Sequence, residues 1–180
     1  GEFDEFNTTS YEVFKDWYMS EIKNAQLGRT TSNPLESIVE RANTGKYAMR
    51  LITSGEPGFV FIGQVMAIPY KKKDDYFGMI DYPFPMFAVD KKYMRFSLDY
   101  KYNKNSDNGV ISVALFKDNE IVAKVDKNLT YTGNKFTNTA FNFNYGSFYG
   151  IPDYASIFIV TSGKDLFDAD TGIELIVDNL

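Results

Sequence analysis

Met94-Arg95-Phe96-Ser97-Leu98-Asp99-Tyr100-Lys101-Tyr102 alternates apolar and polar side chains without a break. Met, Phe, Leu and two Tyr fall on one side, and Arg, Ser, Asp and Lys on the other. Successive side chains of an extended backbone point to opposite faces, so the stretch predicts a half-buried strand with one wet side. The same period of two returns in Tyr47-Met49-Leu51 around Arg50 and in Phe141-Phe143-Tyr145 around Asn142 and Asn144. It closes the chain as Ile173-Leu175-Val177, interleaved with Glu174, Ile176 and Asp178, which places Asp178 toward water. Denser apolar runs at 59–62 and 157–160 predict central strands covered on both faces.

Turn residues separate these runs. Lys117-Asp118-Asn119-Glu120 sits between two apolar stretches, and its Asp and Asn tolerate the left-handed backbone that a tight hairpin needs. The polar run 103–109, Thr132-Gly133-Asn134 and Ser162-Gly163-Lys164 punctuate the remaining strands. About ten strands spaced in this way predict an all-β chain, a two-sheet antiparallel β-sandwich or barrel. One short helix is expected between Trp17 and Leu27. With no repeat and no linker, residues 1–180 are expected to form a single β-sandwich domain, its first 45 residues the least patterned.

Composition narrows the chemistry. The chain has 180 residues, of which 17% are aromatic: 16 Phe, 13 Tyr and one Trp. Such residues suit a pleated, half-buried surface. The net charge of −5 disfavours phosphate backbones and anionic headgroups, so neither nucleic acid nor a membrane surface is an expected partner. Lys71-Lys72-Lys73 runs at once into Asp74-Asp75 and suits a solvated loop. Cys and His are both absent, which removes thiolate nucleophiles, the usual proton shuttle near neutral pH and the commonest zinc ligands. Two carboxylates could still run a glycosidase. Yet no Asp or Glu stands in a motif that would hold it neutral in an apolar pocket, so no enzyme is expected. Gly1 ahead of Glu2-Phe3-Asp4 suits a cleavage remnant, with the natural N-terminus upstream.

Several elements together carry a family resemblance. They are Gly45-Lys46-Tyr47-Ala48-Met49-Arg50-Leu51, Phe59-Val60-Phe61-Ile62-Gly63, Phe77-Gly78 with Pro83 and Pro85, Tyr100-Lys101-Tyr102 followed by 110–116, Pro152 before 157–162, and the closing Leu175-Ile176-Val177-Asp178-Asn179-Leu180. Their order resembles jelly-roll, galactose-binding-like carbohydrate modules, and within them a carbohydrate metabolism domain family of outer-membrane lipoproteins in gut-type Gram-negative bacteria. The likeness runs from about Tyr47 onward. It implies a non-catalytic domain that binds a polysaccharide or oligosaccharide at the outer-membrane surface or in the periplasm, held to the membrane only through an upstream lipid anchor. An adhesion or protein–protein interaction module of the cell surface is the alternative.

Sugar sites on sandwiches stack aromatic rings on the apolar face of a pyranose. The segment from Tyr70 to Phe87 holds the densest set, and Tyr76, Phe77, Tyr82 and Phe84 are the expected carbohydrate-binding residues. Aromatics in a long turn-rich loop cannot all reach the core, and an exposed cluster marks a binding surface. The competing account has the loop fold back and plug one end of the sandwich, burial being the commonest use of such rings. Tyr145, Phe148 and Tyr149 around Gly146 and Gly150 pose the same choice. Trp17 is assigned to the core. Calcium is the metal that an oxygen-only donor set can hold. Jelly-roll modules often carry a structural calcium between an acidic residue of the first strand and an Asp of the last, and Glu5 (or Asp4) and Asp178 resemble those positions. Asp165, Asp168 and Asp170 lack the closing Glu of an EF-hand loop.

Overall fold

A computed structural model describes residues 17–19, 23–24, 29–30, 38–39, 48–56, 59–61, 64–67 and 86–180 apart from 134 and 165–167, with side chains described within 48–53 and from 86 on. Every regular element among them is a strand: β1 (Trp17–Met19), β2 (Lys23–Asn24), β3 (Arg29–Thr30), β4 (Ile38–Val39), β5 (Ala48–Ile52), β6 (Ser54–Glu56), β7 (Phe59–Phe61), β8 (Gln64–Ala67), β9 (Phe87–Ala88), β10 (Arg95–Tyr102), β11 (Gly109–Lys117), β12 (Glu120–Leu129), β13 (Thr137–Asn142), β14 (Tyr154–Val160) and β15 (Glu174–Asp178). One sheet runs β1-β8-β14-β11-β12 with β9 also on β14, and the other runs β13-β10-β15-β5-β4. All pairings are antiparallel. The fold is a two-sheet antiparallel β-sandwich of the jelly-roll type.

Alternation decides which residues meet between the sheets. Ile111, Val113 and Leu115 of β11 and Ile157 and Ile159 of β14 face Leu98, Tyr100 and Tyr102 of β10, Leu175 and Val177 of β15, and Met49 and Leu51 of β5 in one cluster. Tyr102 is fully buried, and its hydroxyl donates to the Thr161 carbonyl at 2.8 Å, tying the end of β10 to the end of β14 in the opposite sheet. Beside it the Thr53 and Thr161 hydroxyls are bonded at 2.5 Å. Between β11 and β12, Asp118 and Asn119 take φ of 51° and 66°, the left-handed pair expected of that hairpin.

Four expectations need correction. Within the expected helix the described residues Trp17–Met19 and Lys23–Asn24 are strands: Trp17, Tyr18 and Met19 pair with Ala67, Met66 and Val65, and ladder pairing overrides weak helical patterning. Phe59–Phe61 is no central strand: it pairs with Ser54–Glu56 in a two-stranded ribbon. Asp178 does not face water. It is fully buried in register with Asp99, itself only 6% exposed, so the outer face is covered at this pair while Arg95 stays exposed and Lys101 and Glu174 half-buried. In the run 157–160, Ile157 and Ile159 are buried while Phe158 and Val160 are half-buried, so the second face is only partly covered.

Burial pushes the Tyr102 phenol well above its ordinary value near 10, and the Asp107 and Asp170 charges push it the same way. The folded chain therefore holds this proton more tightly than the unfolded chain. Its contribution to stability is intact below pH 10 and is lost as the pH climbs past that value. Tyr102→Phe is expected to leave the alkaline phenolate absorbance of the folded protein unchanged until unfolding begins. A Tyr102 signal titrating with the exposed tyrosines would contradict the burial.

Candidate functional site

Both connections that cross between the sheets near the start of β10 lie at one end of the sandwich. Residues 89–94 carry the chain from β9 to β10, and 143–153 carry it from β13 to β14. The two run side by side. The Phe143 amide donates to the Met94 carbonyl at 3.0 Å, the Tyr145 hydroxyl to the Tyr93 carbonyl at 2.6 Å, and the Val89 amide to the Asp153 carbonyl at 2.9 Å. Asp153 also accepts from Lys117 at 2.7 Å, which holds its carboxyl below the usual range and anchors the loop to the β11–β12 hairpin.

The loop 143–153 is braced from inside by rings. Phe96 stacks on Phe141 at 5.3 Å, Phe143 meets Phe141 edge-on at 6.0 Å, and Tyr145 follows at 6.3 Å with Phe148 stacked on it at 6.1 Å. This chain of contacts starts at the core and ends under the loop, and burial raises the Tyr145 phenol above its ordinary range. The Gly146 amide donates to Asn144 Oδ1 at 2.9 Å and the Phe148 amide to the Tyr145 carbonyl at 2.9 Å, closing a tight turn in which Gly146 takes a φ of 54°. A Cβ on Gly150 would stand 2.9 Å from the Phe148 ring, so a larger residue there would have to displace that ring.

The next residue is left outside. Tyr149 is 90% exposed although both neighbours in the turn are fixed. Lys92 sits beside it: its Nζ donates to the Phe148 carbonyl at 2.7 Å and lies 4.4 Å from the Tyr145 ring centre, 5.6 Å from Phe148 and 6.0 Å from Tyr149. Tyr93, Met94, Ile151, Tyr154 and Ile121 are exposed at the same end, so of the seven exposed large apolar side chains among the described residues only Tyr131 lies elsewhere. A raised aromatic ring with an ammonium beside it can stack on a flat apolar ligand face and hydrogen-bond its edge.

Of the expected site residues, Tyr76, Phe77, Tyr82 and Phe84 lie outside the described residues, as does Glu5. β8 ends and β9 begins at the Tyr149 end, since Ala67 pairs with Ile157 and Phe87 with Ala155. The second aromatic group divides cleanly: Tyr145 is buried, Phe148 half-buried and Tyr149 exposed. Spacing could not tell these three apart. Their glycines were the available signal, because Gly146 and Gly150 mark where the backbone must turn and close up.

No family model matches the chain, and no curated protein matches its sequence. Solved structures do share the fold. A candidate glycoside hydrolase from Bacteroides thetaiotaomicron superposes over 99% of this chain and 68% of its own, with a TM-score of 0.72 at 12% identity. A second, from Bacteroides vulgatus, superposes over 79% of this chain and 74% of its own, with a TM-score of 0.57 at 15% identity.

Lys92→Met would remove a charged hydrogen bond to a main-chain oxygen together with its ring contacts. It is expected to cost about 1–2 kcal/mol in urea unfolding. A loss within a few tenths of a kcal/mol, about the scatter of neutral surface changes, would mean that the ring stack alone holds the turn.

Proposed function

We propose that the chain is a non-catalytic glycan-binding domain that stacks a sugar ring on Tyr149, with Lys92 at its edge. The observation that carries this proposal is a tyrosine 90% exposed at the tip of a turn whose every other ring is packed. Exposing a large aromatic forfeits burial of roughly 1.5–3 kcal/mol, so a braced exposed ring suits a ligand better than it suits stability. Tyr76, Phe77, Tyr82 and Phe84 belong to the proposal as further stacking rings, carried by the 68–86 connection that leaves and returns at this end. The setting proposed with it is a Gram-negative cell surface or periplasm, reached through an upstream lipid anchor.

The two structural neighbours bear glycoside hydrolase names, which makes hydrolysis the reading to exclude. Among the buried carboxylates, Asp99 receives the Asn138 and Asn179 amides at 2.8 and 3.2 Å, and Asp107 receives Asn108 N–H and the Ser162 hydroxyl, both at 2.7 Å. Both have structural work that a proton-shuttling acid would have to give up.

Tyr149→Ala is expected to change stability by less than about 0.5 kcal/mol, as at other exposed positions, while weakening polysaccharide binding roughly tenfold or more. A panel of plant and host polysaccharides in affinity electrophoresis reads it. Silence across the panel, with self-association or a protein ligand instead, would favour an adhesion module. Release of reducing ends would overturn the non-catalytic assignment.

Calcium at Asp178, with Glu5, is proposed alongside. A fully buried carboxylate, one oxygen of which takes the Asn179 N–H at 2.8 Å, is a hard donor of the right kind. Among the described residues no three such side chains gather, so any remaining ligands come from elsewhere in the chain. Saturating calcium over a chelator control is expected to raise Tm by several degrees in the wild type and not in Asp178→Asn. An unchanged wild-type Tm removes the ion.

A further inference from the structure

β12 and β13 are the outermost described strands on the same side of the two sheets, joined by residues 130–136. Between them the sandwich stands open in a groove of ≈ 470 Å³. That is within the roughly 300–1,000 Å³ of small-molecule sites. Its walls are Asp126, Lys127 and Asn128 from β12 and Thr137, Asn138 and Thr139 from β13, with Tyr100 of β10 among the lining residues.

The residues at this opening break the pattern that builds the rest of the core. Thr137 and Thr139 stand opposite Tyr100 and Leu98 in register, and Lys127 stands opposite Ile111. All three therefore occupy inward positions, where the same strands elsewhere carry Phe141, Ala123 and Leu129. Inward-pointing polar residues guard sheet edges against pairing, and breaches of patterning also occur at functional sites. Tyr100 supplies an independent observation. It is only 5% exposed, and among the described residues its hydroxyl has no hydrogen-bond partner. Buried hydroxyls are ordinarily paired, because leaving one unmade forfeits its hydration.

We propose that this groove is a second binding site, separate from the Tyr149 end, and that it takes a single sugar unit or another neutral polyol. Its lining combines hydroxyls, amides, one carboxylate and one ammonium, so it holds both donors and acceptors for the hydroxyls of a sugar. The carboxylate is already answered: Lys124 Nζ lies 3.0 Å from Asp126, and with the Ser112 hydroxyl it keeps the group ionised against the opposing effect of burial. A ligand hydroxyl seated in the groove would give the Tyr100 phenol a partner that none of the described residues supplies.

The test is backbone amide NMR on the full chain, titrated with D-galactose, D-glucose, D-xylose and glycerol to tens of millimolar. Saturable shifts at 126–130 and 137–139 are expected with at least one probe. Tyr100→Phe should weaken them roughly tenfold, the worth of one hydrogen bond, while its Tm stays equal or rises because an unmade bond is deleted. Thr139→Val, which keeps the shape and loses the hydroxyl, should weaken them as well. Tyr149→Ala should leave them intact, which separates this site from the platform. No shift with any probe overturns the proposal, and so do shifts confined to 143–153 or undiminished affinity in Tyr100→Phe.

Discussion

The packing of two sheets onto one set of alternating side chains is the constraint from which the rest of the structure follows. Leu98, Tyr102, Ile111, Ile159, Leu175 and Val177 are essentially inaccessible to water, and each comes from a strand whose next residue points the other way. Burying such side chains contributes on the order of 1.5–3 kcal/mol apiece, far more than any surface contact the molecule makes. A one-residue slip in any central strand would turn that whole set outward, so the register is strongly fixed. Tyr102 adds direction to this non-directional force, since its hydroxyl reaches across the interior to the Thr161 carbonyl.

Fixed strands leave variation to the ends and the open side. At one end the core is continued outward by rings: Phe96, Phe141, Phe143, Tyr145 and Phe148 pass contact from the interior to the surface turn. The turn that carries the exposed Tyr149 is thereby held in place. At the open side the apolar filling stops at Leu98 and Tyr100, and polar groups line the gap. The two places use different physics. The proposed platform offers area and a ring face, and the proposed groove offers hydrogen-bonding groups.

The strands of the second half were legible because period-two alternation is a direct readout of which side chains are buried. Residues 173–177 and the 117–120 hairpin fall where the pattern put them, down to the left-handed Asp118 and Asn119. What alternation could not convey was the covering of an outer face. Asp99 and Asp178 occupy polar positions on their strands and are buried all the same, each with a bond to Asn179. The Asp99–Asn179 bond joins residues far apart in the chain, and no local pattern encodes it. The same holds for the site. Tyr145, Phe148 and Tyr149 are equivalent in composition, and only the turn made by Gly146 and closed by Gly150 separates the two packed rings from the one in water. Trp17 shows the converse, a segment whose helical suggestion gave way once β8 was available to pair with it.

A rigid scaffold that presents ligand groups from an end loop and an open edge limits what binding must cost. Ordering a rotamer-rich side chain at an interface costs about 0.5–1.5 kcal/mol, and a loop that must fold first costs more. The Tyr149 turn has already met that cost through the Phe148 stack, the Lys92 bond to the Phe148 carbonyl and the Tyr145 bond to the Tyr93 carbonyl. The groove has met it too, because Thr137 and Thr139 sit in a paired strand and Tyr100 is clamped within the core. Weak individual contacts to sugar hydroxyls can then register as binding, since little is spent on arranging the protein. In the proposed role of glycan binding, with its shallow surfaces and strongly hydrated ligands, a braced end and an unsealed side supply that economy.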